Sequence, residues 1–314
     1  MKHWALLALA GLGMCPAFAE TSREIYVSSC TQAVEAIPDF SCADGEIVPV
    51  TVNGVVISSA DFKPGMECDR PSLLDNGAGS DGQCVPGSRI LDHSTDKTQI
   101  SVMCRQKHNR PEATLLFDEI DVIAHNPRSG ATCWFQAEAA DQDHPLDGRH
   151  VVSPTTILTS DIWKTPEAVA RDGCGNCHDN DPFMYSPFAG QVWYEVPTNP
   201  FGPYWHVGAG LGFEDWPTEV FALRDNTCLG CHRIGTMATS KELTEWMVGA
   251  PAPPGSDPEA NTFPVSHSMP PDHELTLPAW HVLHSKSVAD ILFCHDNPTE
   301  QSCNLTQLPN YTQR

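Results

Sequence analysis

Positive charge is scarce in this chain of 314 residues, which has 18 lysines and arginines against 40 aspartates and glutamates. The formal net charge of −22 at pH 7 argues against nucleic acid and anionic membranes as partners, because both attract basic surfaces. It favours partners that present basic docking surfaces. Only 18% of the residues are charged, whereas 27 are proline and 22 are glycine, which predicts a loop-rich chain.

Long apolar runs are also missing, since none reaches the roughly 20 residues that a transmembrane helix needs. The run Trp4–Met14 is too short, and it is followed by the small-x-small pattern Ala17-Phe18-Ala19. This order predicts a signal peptide over residues 1–19 that is cut after Ala19. We therefore expect a periplasmic or secreted protein whose mature chain has no transmembrane segment.

Cysteine, by contrast, is plentiful, with 13 in the chain. Cys15 lies in the predicted signal peptide and four others lie in two motifs, which leaves eight. An even remainder in an exported protein indicates four disulfides. Cysteine spacing alone leaves the connectivity open, and the expected arrangement joins neighbours along the chain: Cys30–Cys42, Cys68–Cys84, Cys104–Cys133 and Cys294–Cys303.

The two motifs are C-x-x-C-H runs, Cys174–His178 (CGNCH) and Cys228–His232 (CLGCH). This pattern is the attachment signature of c-type haem. Two thiols at this spacing form thioethers with the two vinyl groups of one porphyrin, and the adjacent imidazole binds the iron. The sequence therefore predicts two covalently attached haems, held through Cys174, Cys177, Cys228 and Cys231, with His178 and His232 as proximal iron ligands.

Two other chemistries use C-x-x-C pairs. A thioredoxin-like dithiol does not need the histidine, and no strand–helix–strand pattern surrounds either run. Both pairs together would suit a zinc site with four cysteine ligands, but the histidine directly after each pair would then be a repeated coincidence.

The expected fold class is α+β. Residues 20–150 contain three segments that alternate or carry β-branched residues, namely Glu46–Ser58, Gln99–Cys104 and Glu112–Ile123. These segments predict a small β-rich domain stapled by disulfides. Residues 151–314 are expected to form a second domain that is mainly α-helical and rich in loops.

Four helix signals mark this second part. Thr165-Pro166 predicts a capped helix that leads into the first run, and Pro217 opens a segment expected to lead into the second run as a helix. Thr239–Glu242 predicts a capping box. The tail from Leu277 onward is expected to form two helical pieces.

From residue 165 to about residue 300, the two runs and the loop Met269-Pro270-Pro271 resemble a di-haem c-type cytochrome with class I-like attachment. The resemblance implies a di-haem cytochrome c domain over residues 151–314 that carries single electrons between redox proteins outside the cytoplasm. The N-terminal domain carries no such resemblance. Two alternatives remain: a peroxidase-like di-haem enzyme with one open iron site, and self-assembly into an electron-conducting polymer.

The resemblance also implies Met269 as the sixth iron ligand of the second haem, because a methionine followed by proline on a downstream loop fills that role in class I cytochromes. His267 is its rival. For the first haem the preferred candidate is His206, which has enough intervening chain to reach the opposite face of the ring. Met184 and His150 are the alternatives.

Overall fold

The protein is described by a computed structural model that covers residues 21–77, 79–156, 162–249, 266–271 and 274–308. These residues form a mixed α+β fold with a β-rich N-terminal region, in agreement with the predicted fold class. The predicted signal peptide lies outside the described residues. No helix in the described part of the chain is both long enough and apolar enough to cross a membrane.

The largest element is a six-stranded sheet. Its members are β1 (Glu46–Ile47), β4 (Arg89–Asp92), β5 (Gln99–Arg105), β7 (Glu119–His125), β8 (Ala131–Glu138) and β10 (Trp205–His206). They lie in the order β1-β4-β5-β7-β8-β10. The strands pair antiparallel except at one edge, where β10 runs parallel to β8.

The remaining strands of the described residues form three smaller sheets. These strands are β2 (Thr51–Val52), β3 (Val55–Val56), β6 (Leu116–Phe117), β9 (Leu146–Asp147), β11 (Glu219–Phe221), β12 (Ile234–Gly235) and β13 (Leu305–Gln307). Strand β2 pairs with β3, β6 pairs with β9, and β11 lies between β12 and β13.

Helices are short apart from the first and the last. They are α1 (Ser22–Val34), α2 (Pro166–Arg171), α3 (Cys174–Cys177), α4 (Glu242–Met247) and α5 (Leu277–Asp296). Single 3-10 turns or short 3-10 helices occur at Cys42–Asp44, Glu112–Thr114, Ala189–Glu195, Phe213–Asp215, Cys228–Gly230 and Gln301–Cys303.

The main hydrophobic core covers one face of the six-stranded sheet. Because side chains alternate along a strand, Val102, Val122 and Phe135 lie side by side on this face, and all three are buried. Helix α1 packs here and is tied to β8 by the disulfide Cys30–Cys133. The opposite face is therefore left for the second half of the chain.

Packing crosses the predicted domain boundary at residue 150. Trp205 and His206 supply the sixth strand of the N-terminal sheet. Val169, Tyr204 and Trp216 belong to the same buried cluster as the N-terminal core.

Two of the four predicted disulfides are confirmed, Cys68–Cys84 and Cys294–Cys303. The pairs Cys30–Cys42 and Cys104–Cys133 were wrong, because Cys30 bonds Cys133 and Cys42 bonds Cys104. Cys104 and Cys133 share a face of the sheet, but they lie in different registers with β7 between them. Cys104 and Cys133 therefore each form a disulfide with a cysteine from a segment that crosses this face.

The predicted helix start at Thr165-Pro166 is confirmed, since Pro166 begins α2 and the Thr165 hydroxyl accepts the Ala168 N–H. The helix expected after Pro217 was wrong. Val220 and Phe221 form strand β11 instead, consistent with the strand preference of β-branched and aromatic side chains.

The tail forms the single helix α5, not two pieces. The predicted capping box at Thr239–Glu242 was also wrong, because α4 begins at Glu242 without a side-chain cap. The Thr239 hydroxyl instead donates to Asp179 Oδ1 at 2.8 Å.

The long-range disulfide should stabilise the sheet more than the terminal one does. Cys30–Cys133 spans 103 residues and Cys294–Cys303 spans 9, so loop entropy assigns them about 5 and about 3 kcal/mol. We expect Cys30→Ser/Cys133→Ser to lower the free energy of unfolding more than Cys294→Ser/Cys303→Ser does. Chemical denaturation of both variants measures this, and an equal loss would contradict the ranking.

Candidate haem-attachment sites

The first run begins where α2 ends. Gly173, at φ 74°, turns the chain into α3, which consists of the four residues from Cys174 to Cys177. A Cβ at Gly175 would lie 2.5 Å from the Trp216 ring, so this position between the two cysteines requires glycine. Both thiols are free, with Cys174 half-buried and Cys177 exposed.

His178 points into an aromatic cluster beside the sheet. Its ring centroid lies 4.9 Å from that of Trp134, and its backbone carbonyl accepts the Tyr204 hydroxyl at 2.7 Å. Burial lowers the pKa of His178 to about 4, which keeps the imidazole neutral as iron ligation requires. Its buried Nδ1 makes no hydrogen bond of normal geometry.

The second run is held against α5. The Thr227 N–H donates to Ser287 Oγ at 2.9 Å, and the Cys228 N–H donates to Asn226 Oδ1 at 3.0 Å. Cys228–Gly230 is a 3-10 turn, so the two runs differ in local backbone. Their thiols match in exposure, because Cys228 is half-buried and Cys231 is exposed.

His232 has the proton arrangement of a metal ligand. Its Nδ1 lies 2.8 Å from the Arg233 carbonyl oxygen, which only accepts hydrogen bonds, so Nδ1 carries the proton. The lone pair of the neutral ring is then on Nε2, and burial favours that neutral form by lowering the pKa of His232. A hydrogen bond of this kind commonly orients a ligating histidine.

The two runs are joined by reciprocal hydrogen bonds. Arg233 follows His232, and its Nε donates to the Asn180 carbonyl at 3.0 Å. Asn180 Nδ2 donates back to the Arg233 carbonyl at 2.6 Å. The guanidinium also donates to the Gly202 carbonyl at 2.7 Å and lies 3.6 Å from Asp181.

A second set of contacts closes the same junction. Asp179, the residue after His178, accepts the Met237 N–H at 2.7 Å and the Thr239 hydroxyl at 2.8 Å. A Cβ at Gly235 would overlap the Asp179 carboxyl group. Glycine at position 235 therefore lets the chain that follows the second run wrap around the first.

Helix α5 also holds the segment that carries Met269. Trp280 Nε1 donates to the Met269 carbonyl at 2.6 Å, and the His267 ring lies 4.6 Å from the Trp280 ring. One turn further along the helix, His284 contacts Thr227 at 2.9 Å. One helix thus contacts both the second run and its predicted sixth-ligand segment, and Met269 and His267 both remain candidates.

His206 lies in the aromatic cluster beside the first run, and its buried Nε2 makes no hydrogen bond of normal geometry within the described residues. Its Nδ1 accepts the indole N–H of Trp134 at 3.2 Å, and an indole nitrogen only donates. The single proton of the neutral imidazole is therefore on Nε2, where iron would need the lone pair. Burial lowers the pKa of His206 to about 3, which keeps that neutral form.

The other two candidates for the first haem lie in contrasting places. His150 is exposed and faces Asp39 at 3.8 Å, next to the bridge between Val151 and Phe40. Met184 is half-buried in the loop after His178.

Arg233 and Asn180 were missed by sequence reasoning. Each lies one or two residues after a proximal histidine, but nothing in the spacing shows that the two segments meet. In the described ranges, no group of three or more histidine, cysteine, aspartate or glutamate side chains is arranged to hold a metal ion.

No protein-family model matches the chain, and comparison with curated proteins and with solved structures finds no match either. The interpretation of the site consequently depends on the residues of this chain.

Removing both thiols of one run should remove one haem, because a single remaining thioether can still hold the ring. We expect Cys174→Ser/Cys177→Ser and Cys228→Ser/Cys231→Ser each to lower the mass of the exported protein by one haem in denaturing mass spectrometry. In each pair one cysteine is half-buried and the other is exposed, so the two variants are matched. An unchanged mass in both variants would exclude covalent haem at these runs, and Cys15→Ser serves as a control with no expected loss.

Replacing Met269 should open the second iron. We expect Met269→Ala to convert one low-spin ferric signal to high spin in electron paramagnetic resonance, because the thioether ligand is lost. Met269→His is expected to restore low spin at a lower reduction potential. A spectrum unchanged in Met269→Ala but altered in His267→Ala would transfer the role to His267.

Proposed function

We propose that this chain is an exported di-haem c-type cytochrome that carries single electrons between redox partners outside the cytoplasm. When bound, the haem iron supplies the one-electron chemistry, and the protein sets its ligands, burial and access. The residues assigned to attachment are Cys174, Cys177, Cys228 and Cys231. His178 and His232 supply the proximal nitrogens, and Met269 is the preferred sixth ligand at the second run.

The observation that carries the proposal is the contact between the two runs. Asn180 lies two residues from His178, at most about 7 Å of extended chain. Arg233 is bonded directly to His232, and Arg233 and Asn180 exchange two hydrogen bonds. Haems held by the two histidines would therefore be close to each other, as electron transfer between them requires.

Burial separates the inner side of each run from its outer side. Cys174 and Cys228 are half-buried, while Cys177 and Cys231 are exposed, so the edge of a haem bonded to the second cysteine of each run would be near solvent. A partner can approach that edge directly. The net charge of −22 steers basic partners toward the protein, and this steering weakens with rising ionic strength.

The disulfides support an oxidising compartment. Four disulfides lie within the described residues, and such bonds persist outside the cytoplasm and are rare inside it. A periplasmic or secreted location is part of the proposal for this reason.

A peroxidase-like enzyme is the second candidate, and the proton on His206 favours it. If Nε2 of His206 is protonated, the preferred sixth ligand at the first run is unsuited to iron, and the iron there would be open to a small molecule unless Met184 or His150 binds it. The buried aromatic cluster of Trp134, Tyr204 and Trp216 would shield such a site from water.

The number of axial ligands on each iron distinguishes an electron carrier from a peroxidase-like enzyme. For an electron carrier we expect two low-spin signals in the low-temperature electron paramagnetic resonance spectrum of the oxidised protein, and no binding of CO after reduction. Six-coordinate irons have no position for CO. A high-spin signal with one equivalent of CO bound would favour the enzyme, and loss of that CO binding in Cys174→Ser/Cys177→Ser would place the open iron at the first run.

A further inference from the structure

The two central strands of the six-stranded sheet leave one face partly open. Ser101 and Met103 on β5, and Asp121 and Ile123 on β7, are half-buried, whereas their neighbours along each strand are buried against the core. Met103 pairs with Asp121, and Ser101 pairs with Ile123. These four residues form a continuous patch on the face opposite α1, which we name the sheet floor.

On the β4 side, buried apolar side chains border the sheet floor and form one wall. Ile90 is the cross-strand partner of Met103, and it is buried under Phe188, Ala189 and Val192. Met103 packs against the edge of this cluster. The 3-10 helix that supplies the wall follows the first run in the chain.

On the β8 side, a second wall borders the sheet floor, and this wall contains the first run. Trp134 is the cross-strand partner of Ile123, and its ring contacts His178 and Trp216 at centroid distances of 4.9 Å and 5.2 Å. Cys174 and Ile123 both pack against the buried cluster that contains Trp134. The His178 N–H donates to the Cys174 carbonyl at 2.9 Å, so Cys174 and His178 lie on this wall together.

The separation of the walls follows from sheet geometry. Neighbouring strands lie about 4.8 Å apart, so β4 and β8, three steps apart, are separated by about 14 Å. A flat apolar ring bonded to Cys174 on one wall can stand on the floor between them. Met103 and Ile123 are apolar side chains that such a ring would cover.

We infer that the haem of the first run stands in this trough, with the N-terminal sheet as the floor of its site. The inference rests on the proposed function, which supplies the haem, and it adds a role for the N-terminal domain. The sheet is then part of the cofactor site, and Met103 and Ile123 are positioning residues that keep water from the ring. Asp121, bonded to Gln136 at 3.1 Å, places a carboxyl beside it.

The test measures each haem separately in the full-length holoprotein. We expect Met103→Ala and Ile123→Ala to shift the reduction potential of one haem in a spectroelectrochemical titration and to leave the other unchanged, because solvent exposure tunes haem potentials. Met103→Leu should return the potential toward the wild-type value. Val55→Ala, at a side chain 66% exposed on β3, is the matched control and should shift neither.

A bulky substitution on the sheet floor provides a second test, in which haem attachment is measured. Ser101→Trp should prevent attachment at the first run and lower the protein mass by one haem, with the four disulfides and the second haem retained. If neither potential moves in the two alanine variants and Ser101→Trp retains both haems, the trough is not the site. Wild-type protein without covalent haem would instead overturn the proposed function itself, so the two failures are distinguishable.

Discussion

A buried guanidinium holds the two C-x-x-C-H runs in one arrangement. Arg233 is 8% exposed, and a charge taken out of water costs several kcal/mol unless it is paired and hydrogen-bonded. Its acceptors are the carbonyls of Asn180 and Gly202, with Asp181 nearby. Gly202 lies two residues before Tyr204, whose hydroxyl binds the His178 carbonyl. The hydrogen bonds of this one cation therefore fix the chain on both sides of His178 relative to His232.

The N-terminal sheet is a platform for a C-terminal half with only small clusters of its own. Among the described residues, the C-terminal cluster around Phe221 and Ile291 has six buried members, whereas the cluster on the sheet has 29 and draws residues from both halves. Cys30–Cys133 and Cys42–Cys104 anchor α1 and its following turn to one face. The opposite face and the β8 edge are thereby left for the segment that carries the first run. Cross-links thus compensate for the shortage of regular helices in a loop-rich chain.

The structural features that could be predicted from the sequence depend on residues that are close together in the chain. The strand at Gln99–Cys104 follows from alternation within six residues, and the start of α2 follows from Thr165 and Pro166 side by side. The disulfide between Cys30 and Cys133 was beyond reach, because it depends on which segment crosses the sheet at which register. Strand β11 was missed for a similar reason, since its partners Ile234–Gly235 and Leu305–Gln307 lie far away in the chain. The Arg233–Asn180 contact joins residues 53 apart, and no spacing rule predicts it.

The two proposed sites differ in how their histidines are protonated. A neutral imidazole has one proton, so the partner of one ring nitrogen decides whether the other can bind iron. His232 donates its Nδ1 proton to a carbonyl, which leaves the lone pair on Nε2, whereas His206 accepts a hydrogen bond from Trp134 at Nδ1, which places its proton on Nε2. At the second run, α5 contacts both the attachment segment and the Met269 loop, so the proposed proximal and sixth ligands lie on segments held by one helix. At the first run, His206 is hydrogen-bonded within the aromatic cluster. Under the proposed function, the sheet and the loop after His178 would therefore set the environment of that site.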